Sequence, residues 1–209
     1  MKCLFKKIFC IEGNIGAGKS TLLNLLEDKV PYCKVIQEPV SEWKNVGGYD
    51  LLSAFYQDPR RWCFTFEFYS MFTLIKKIQQ AILSDAEIIF VERSIYSNRA
   101  FQIISYTLDK LDTKEMVILK EIFEFFKTEY PALNGVIYLD TNVELCLQRI
   151  TQRGRKEENG INYIYLKKLE EEFKSIKYNC PVKTINGDYD LKNPQEVLDE
   201  ILKFIYSDN

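Results

Sequence analysis

The most constraining feature of the sequence is the segment Gly13 to Ser20, which follows an apolar run and precedes a leucine-rich one. It reads GNIGAGKS and matches the pattern G-x-x-x-x-G-K-[ST], whose glycines let consecutive backbone N–H groups converge on phosphate oxygens. Lys19 would bring a positive charge to the outer phosphates, and the Ser20 hydroxyl is suited to Mg²⁺. Placed between a strand and a helix N-terminus, the segment predicts a binding loop for a nucleoside triphosphate.

Apolar runs alternate with amphipathic stretches along the rest of the chain. The predicted strands are 4–12, 34–38, 87–92, 135–140 and 182–186. The predicted helices are 21–29, 50–83, one entered through 93–102, 114–128, 143–150, 165–176 and 194–206. This alternation predicts one α/β domain over residues 1–209, with a Rossmann-like parallel five-stranded sheet covered by helices on both faces.

Composition removes several chemistries. The 209-residue chain contains no histidine, which excludes Ser-His-Asp and Cys-His catalysis and most zinc ligand sets. Its 28 basic and 30 acidic residues leave a net charge of -2, so no general attraction to nucleic acid or to an anionic membrane is expected. A general base in such a chain would be a carboxylate.

The six cysteines are scattered and none forms a Cys-x-x-Cys pair. This spacing favours reduced thiols in a cytoplasmic protein over a disulfide framework or a metal site. No apolar run reaches the roughly 18 residues that a membrane span needs, and residues 1–10 are too short for a signal peptide.

Acidic residues end two predicted strands, and arginines cluster in a predicted lid at about 149–160. Glu38 ends the second strand and Glu92 the third, where a parallel sheet opens its ligand crevice. One carboxylate there could accept a hydroxyl proton and the other could help to hold Mg²⁺. The lid arginines suit a phosphoryl group in transfer and are Arg149, Arg153 and Arg155. The alternative for the lid is a solvated basic face balanced by neighbouring glutamates.

Five ordered motifs together resemble the cellular and viral deoxynucleoside kinases. They are GNIGAGKS from Gly13, EPVSEW from Glu38, RRWCFTFEFY from Arg60, ERSIYSNR from Glu92 and QRITQRGRKEENGI from Gln148. The terminal NGDYD also fits the base-holding loop of that family, which includes deoxycytidine, deoxyguanosine and mitochondrial thymidine kinases. The resemblance implies ATP-dependent phosphorylation of a deoxynucleoside 5′-hydroxyl, with Mg²⁺, in a homodimer.

The resemblance also assigns roles to individual residues. Glu38 would be the base and Arg93 would lie beside the 5′-hydroxyl and the transferred phosphoryl group, with Glu92 assisting Mg²⁺ alongside Ser20. The ATP-binding set would comprise Gly13, Asn14, Ile15, Gly16, Ala17, Gly18, Lys19, Ser20, Thr21, Arg153 and Asp188, the last near adenine. The remaining substrate-binding set would comprise Trp43 and Phe66 around the base, Tyr56 and Glu158 at the sugar 3′-hydroxyl, and Glu67, Asn98 and Phe101.

The base-binding positions depart from the family pattern. Glu67 replaces the usual glutamine; as a carboxylate it suits the adjacent N1–H and N2–H donors of guanine, but it faces the O4 or O2 acceptors of thymine unfavourably unless it is protonated. Leu74, in place of an arginine, resembles the thymidine-accepting branch, and Asn98 replaces an aspartate. The family tends to place an aromatic residue three positions after the arginine that follows this position, which is Arg99 here. In this chain Phe101 lies two positions after Arg99, and Gln102 lies at the third. Base preference, pyrimidine or guanine-type, therefore stays open.

Two other functions fit parts of the pattern. A thymidylate-type nucleoside monophosphate kinase would need an arginine for the substrate's own phosphate, for which Arg60, Arg61 and Arg99 are candidates. A nucleotide-binding module without turnover would not require Glu38 or the lid arginines. No guanine-reading N-K-x-D segment of a regulatory GTPase occurs.

Overall fold

A five-stranded sheet forms the centre of the protein, in a computed structural model that describes residues 6–189 and 194–207. Its strands are β1 (Lys7–Gly13), β2 (Cys33–Ile36), β3 (Ile88–Glu92), β4 (Gly135–Asp140) and β5 (Val182–Asn186). They pair in the order β2-β3-β1-β4-β5, and every pairing is parallel. The predicted parallel five-stranded α/β fold is confirmed, and β1 with its glycine loop lies at the centre of the sheet.

The helices cover both faces of this sheet. They are α1 (Lys19–Lys29), α2 (Val40–Trp43), α3 (Leu51–Gln57), α4 (Pro59–Ile82), α5 (Ile95–Thr107), α6 (Thr113–Glu129), α7 (Val143–Arg153), α8 (Tyr163–Ser175) and α9 (Gln195–Tyr206). A 3₁₀ helix, Lys156–Gly160, connects α7 to α8. The two layers follow from the alternation of side chains along each strand.

Strand β1 illustrates how one apolar run serves two cores. Phe9 and Ile11 pack with α1, α7 and α9 on one face, whereas Ile8 and Cys10 pack with α4 and α6 on the other. All four side chains are buried. A strand with both faces covered must be apolar throughout, which is why this run lacks the polar alternation of a half-exposed strand.

Three predicted boundaries were wrong. Strand β2 ends at Ile36, so Glu38 lies two residues beyond it. The helix predicted over 50–83 is two helices, because Pro59 starts α4 and disfavours a helical Asp58, whose side chain caps the Arg61 N–H. The lid is helical to Arg153 and again over Lys156–Gly160, so α7 extends beyond the predicted helix 143–150.

Some expectations lie outside the described residues. They concern residues 4 and 5 of the first predicted strand, Cys3, and the end of NGDYD. Five cysteines fall in the described part and all five are free thiols. Among the described helices, none combines the length and apolar character needed to cross a bilayer.

Candidate functional site

A cleft of about 720 Å³ opens where the carboxyl ends of the strands meet the glycine loop. Most of the predicted site residues line it, and these are Ile15, Gly16, Gly18, Lys19, Ser20, Thr21, Glu38, Trp43, Tyr56, Phe66, Glu67, Glu92, Arg93, Asn98, Phe101, Arg149, Arg153, Arg155 and Glu158. Residues from six separate segments of the sequence are thus brought to one cavity, as expected at the carboxyl edge of a parallel sheet.

The glycine loop takes a conformation that side chains would prevent. Gly13 has φ +139° and Gly16 has φ +78°. A Cβ at Gly13 would lie 2.7 Å from the Leu139 carbonyl oxygen, and one at Gly16 would lie 2.5 Å from the Cys146 carbonyl oxygen. The loop is therefore packed against β4 and α7, with its other side turned to the cleft.

Three predicted loop residues do not line the cleft but hold the loop in place. The Asn14 side chain donates to the Leu166 carbonyl at 2.8 Å, which ties the loop to α8. The Ala17 carbonyl accepts hydrogen bonds from Thr141 Oγ1 at 3.1 Å and from Arg149 Nη1 at 3.0 Å. The third, Gly13, accepts from Arg93 Nη1 at 3.0 Å.

Lys19, Ser20 and Glu92 meet at the start of α1. Ser20 Oγ lies 3.0 and 3.1 Å from the two carboxylate oxygens of Glu92, and Lys19 Nζ lies 3.9 Å from Oε1. Lys19 also donates to the Asn14 carbonyl at 2.8 Å. Burial, with a smaller effect of the nearby Arg93, lowers the pKa of Lys19 to about 8. A hydroxyl and a carboxylate offer only oxygen ligands, which fits a hard cation such as Mg²⁺.

Glu38 and Arg93 form an ion pair in the middle of the cleft. Arg93 Nε donates to Glu38 Oε1 at 2.9 Å, and the Glu38 side chain is 30% exposed. The guanidinium plane lies 4.9 Å from the Phe101 ring centroid and 5.4 Å from that of Phe173. Arg93 itself has φ +65°, a left-handed conformation that is costly for a non-glycine residue and is often found at functional sites.

The lid arginines do not converge on one point. Arg149 Nη1 bridges the Ala17 and Gly187 carbonyls at 3.0 and 3.1 Å. Arg153 and Arg155 instead pair with Glu158, at 2.7 Å from Nη2 and 3.3 Å from Nη1. The Glu158 carboxylate is buried beside Tyr56, where burial together with Glu158 and Glu38 raises the pKa of that phenol.

Asp188 lies outside the cleft. It is exposed, and its Oδ1 accepts the backbone N–H of Asn142 at 2.8 Å. It follows Gly187, whose carbonyl binds Arg149, so Asp188 belongs to a connection that braces the lid helix α7. A role next to adenine stays a prediction.

Aromatic rings build the apolar end of the cleft. Phe66 stacks on Phe55 with ring centroids 4.7 Å apart and an interplanar angle of 13°, and it meets Trp43 edge-on at 5.2 Å. The Trp43 indole N–H donates to Thr73 Oγ1 at 3.0 Å, which fixes its ring. These rings line the cleft, and flat aromatic faces of this kind can pack against a nucleobase.

The orientation of α5 about its axis decides which of Phe101 and Gln102 faces the cleft. The helix begins at Ile95, capped by Ser94, and this places Phe101 on the cleft. Gln102 is fully buried, with Nε2 3.4 Å from the Met71 sulfur, and Leu74 is buried in the same core. Asn98 remains on the cleft and donates to Ser70 Oγ at 2.8 Å.

Glu67 is the buried carboxyl group at the apolar end of the cleft. Only 4% of the residue is exposed. Burial raises its pKa to about 8, against the opposing effects of the Lys110 charge and of a hydrogen bond with Ser105. At pH 7 the side chain is therefore mostly a neutral acid, which has one O–H donor as well as an acceptor.

The arginines considered for a substrate phosphate lie elsewhere. Arg60 binds the Asp109 carbonyl, Arg61 lies over the Trp62 ring, and Arg99 Nη1 points to Gln102 at 3.3 Å. None of the three lines the cleft. The structure therefore places none of the three arginines that the monophosphate-kinase interpretation proposed for the substrate's own phosphate in the described cleft.

Sequence reasoning missed several cleft residues. Phe55, Ser70 and Tyr165 all line it. Ser70 could have been found, since it lies one helical turn after Phe66 and Glu67 on α4. Glu12 was missed as well: it is fully buried below the site, accepts hydrogen bonds from Ser94 and Ser97, and braces the start of α5.

Comparison with known proteins gives a consistent result. The family model described as deoxynucleoside kinase matches residues 9–207. A deoxycytidine kinase of Bos taurus is 37% identical over 218 residues, which cover 93% of this chain and 83% of the relative. A probable deoxycytidine kinase of Fowlpox virus is 35% identical, covering 96% and 87%. A mitochondrial deoxyguanosine kinase of Xenopus laevis is 31% identical, covering 93% and 86%.

Proposed function

Because the chain belongs to the deoxynucleoside kinase family, we propose that Glu38 is the general base that accepts the proton of the 5′-hydroxyl when the enzyme phosphorylates a deoxynucleoside with ATP. The observation that carries this assignment is the ion pair between Glu38 Oε1 and Arg93 Nε at 2.9 Å. The arginine fixes one carboxylate oxygen, and the partly exposed carboxylate faces the cleft. A hydroxyl placed beside the other oxygen can lose its proton as the new O–P bond forms.

The glycine loop and the lid bind the phosphates in this proposal. Lys19 and the backbone N–H groups of the loop bind the outer phosphates of ATP. Ser20 and Glu92 would hold Mg²⁺, which neutralises phosphate charge during transfer. In this proposal Arg149, Arg153 and Arg155 stabilise the transferred group; Arg149 leaves the Ala17 and Gly187 carbonyls to reach it, and the other two leave Glu158.

The sugar lies between the phosphate end and the aromatic slot. Tyr56 and Glu158 both line the cleft, where burial and then the nearby Glu158 charge raise the pKa of the Tyr56 phenol and keep it neutral. When Arg153 and Arg155 turn to the phosphates, the Glu158 carboxylate becomes free to accept a hydrogen bond from a sugar 3′-hydroxyl. Such pairing suits a deoxyribose, whose 3′-hydroxyl is its one free ring hydroxyl.

The proposal also concerns the chain as a whole. We propose that residues 1–209 form one catalytic domain in the cytoplasm, which the family match over 9–207 and the five free thiols support. The loop at Asp188 would approach the adenine of ATP.

Base recognition depends on the protonation of Glu67. As a neutral acid it offers a donor and an acceptor, as glutamine does, and matches the N3 acceptor and amino donor of cytosine. As a carboxylate it offers acceptors alone and matches the adjacent N–H donors of guanine. We therefore propose a preference for pyrimidines at neutral pH that declines as Glu67 ionises.

The Glu67 proposal predicts a pH-dependent selectivity. The ratio of kcat/KM for deoxycytidine to that for deoxyguanosine should fall by more than roughly fourfold between pH 6.5 and 8.5, because most of the neutral acid that matches cytosine is lost over this range while the carboxylate that matches guanine forms. In Glu67→Gln, whose amide does not titrate, the ratio should stay level. Steady-state kinetics with both nucleosides measures it. Glu27→Gln, an exposed control on α1, should behave as the wild type.

The homodimer that we propose would form through an exposed apolar patch. The patch joins α4 and α6 through the stacked rings of Phe68 and Phe126, 6.4 Å apart. Its exposed members are Phe68, Phe72, Val117, Ile118 and Phe125. An aromatic patch of this kind is typical of a protein interface, and we propose that a second copy of the chain covers it.

Disrupting this patch should produce monomers. Phe125 is 62% exposed, so a glutamate there disturbs the fold little but places a charge in the interface. Light scattering after gel filtration should give twice the 24.6 kDa chain mass for the wild type and a single chain mass for Phe125→Glu. Leu83→Glu, exposed at the end of α4, should remain dimeric. A wild-type protein at the single-chain mass would refute the dimer.

A further inference from the structure

Strand β3 ends directly before a strained residue of the cleft. Its last residue, Glu92, pairs with Ile11 of β1, and the chain then turns at Arg93, whose φ is +65°. A non-glycine residue keeps such a conformation only where its surroundings hold it there. The contacts that hold this turn therefore decide where the Arg93 guanidinium lies.

Three consecutive residues at the end of β1 make those contacts. The Ile11 carbonyl accepts the backbone N–H of Arg93 at 3.0 Å, and the Gly13 carbonyl accepts Arg93 Nη1, also at 3.0 Å. Between them, Glu12 Oε1 accepts the Ser94 hydroxyl at 2.5 Å. The main chain of Arg93, its side chain and the residue after it are thus all bound to one short segment of the central strand.

Glu12 also binds the next turn of helix α5. Its second carboxylate oxygen, Oε2, accepts the Ser97 hydroxyl. Ser94 caps α5 by accepting the Tyr96 N–H at 3.2 Å while its own hydroxyl donates to Glu12. One carboxylate therefore joins the start of α5 to β1 through both of its oxygens, and hydrogen bonds to an ionised acceptor are among the strong ones.

These groups are closed off from water and from the cleft. Glu12, Ser94 and Ser97 are each exposed by 1% or less, and none of the three lines the cleft. In such surroundings an unpaired hydroxyl or carboxylate is costly, which keeps the three groups bonded to one another. Glu12 does not contact the substrate in this arrangement, so its effect on the reaction would pass through the turn at Arg93.

We propose that Glu12 is a positioning residue for phosphoryl transfer, which fixes Arg93 beside Glu38 by binding the first turns of α5. The inference rests on the proposed function, in which the Arg93 bond orients the Glu38 carboxylate for the 5′-hydroxyl. Arg93 Nε meets Glu38 Oε1 at 2.9 Å only while the turn keeps its place. A shift of about 1 Å in the guanidinium would lower the rate sharply, because the reacting groups must be aligned.

The test is a double-mutant cycle with Glu12→Met, which nearly keeps the length of the side chain and removes both hydrogen bonds. kcat is measured at saturating deoxynucleoside and ATP, in the full-length enzyme and well below the melting temperature of each variant. We expect Glu12→Met to lower kcat about 10- to 10²-fold, with both KM values within about threefold of the wild type. In an Arg93→Met background the same substitution should lower kcat by no more than about twofold, because the group that Glu12 positions is absent.

Two further variants separate positioning from a general loss of structure. Glu12→Gln can still accept from Ser94 through its oxygen and donate to Ser97 Oγ through its amide, so it should retain most of the wild-type kcat. Glu170→Gln changes another buried acid, which pairs with Lys174 at 2.9 Å outside the cleft, and should leave kcat unchanged.

The outcomes distinguish the inference from the function on which it rests. If Glu12→Met keeps a wild-type kcat, or lowers kcat equally with and without Arg93, Glu12 does not act through Arg93 and the inference is wrong. If Arg93→Met alone keeps a wild-type kcat, the role of Arg93 in the proposed function is wrong and the inference is overturned as well. Ser97→Ala, which removes one of the two bonds, takes the place of Glu12→Met in the cycle if that variant does not fold.

Discussion

Glu38→Gln should lower kcat by about 10²- to 10⁴-fold, the range over which a general base contributes to catalysis. The amide keeps the size of the side chain and can still accept the hydrogen bond that Arg93 Nε makes at 2.9 Å. What it loses is the ability to take up the hydroxyl proton. The fold should survive, because the side chain is 30% exposed and lies in the cleft.

The measurement is kcat at saturating deoxynucleoside and ATP, with the melting temperature followed in parallel. Glu42→Gln is a matched control: Glu42 lies nearby on α2, is 44% exposed and pairs with Lys77 at 2.6 Å. It should retain nearly full kcat. A Glu38→Gln enzyme that keeps its fold and a kcat within twofold of the wild type would show that another group accepts the proton.

Lys19→Met should reduce kcat/KM for ATP on the order of 10³-fold, because it removes a buried positive charge directed at the phosphates. The residue is only 4% exposed, and in such a desolvated place an opposite charge on phosphate is attracted more strongly than in water. Methionine has a similar length and no charge. The free protein should lose some stability, because the substitution leaves the buried Glu92 carboxylate without this ion-pair partner.

Two readouts identify the cause of the lost activity. ATP should raise the melting temperature of the wild type but hardly that of Lys19→Met, because ligand binding stabilises the folded state. Lys29→Met, exposed at the last turn of the same helix, should keep both activity and the ATP-induced shift. If Lys19→Met retained the ATP-induced shift and bound nucleotide as before, the phosphate-binding role of Lys19 would be wrong.

Several features of this site could be predicted from local patterns. The glycine loop, its flanking strand and helix, and the alternation of strands and helices all appear within short windows of the sequence. The meeting of Ser20 with Glu92 was also predictable, since the carboxyl ends of parallel strands share one edge. Phosphate binding by the loop depends on its backbone conformation. Gly13 and Gly16 indicate that conformation in the sequence, because residues without a side chain adopt it most easily.

Sequence reasoning did not find other features, although some of them had local signals. Sequence reasoning placed three arginines around one phosphoryl group, but Arg149 braces the loop while Arg153 and Arg155 pair with Glu158. The separation of α3 from α4 had a local signal, Asp58 followed by Pro59, which the prediction of one continuous helix did not use. The choice between Phe101 and Gln102 required the phase of α5, which Ser94 establishes by capping the helix.

The sequence alone shows the residue types needed for phosphoryl transfer, namely a phosphate loop, acids after strands, and arginines around the end of a helix. It also shows that the chain has no histidine. A histidine-free chain loses nothing that this reaction requires, because positioning and charge carry most of the catalysis. The charge state of Glu67 could not be inferred in the same way. It depends on burial and on Lys110 and Ser105. These two residues lie at or just beyond the end of a different helix, α5, and only the folded chain brings them near Glu67. A pKa reflects the surroundings of a group in space, whereas a motif records its neighbours along the chain.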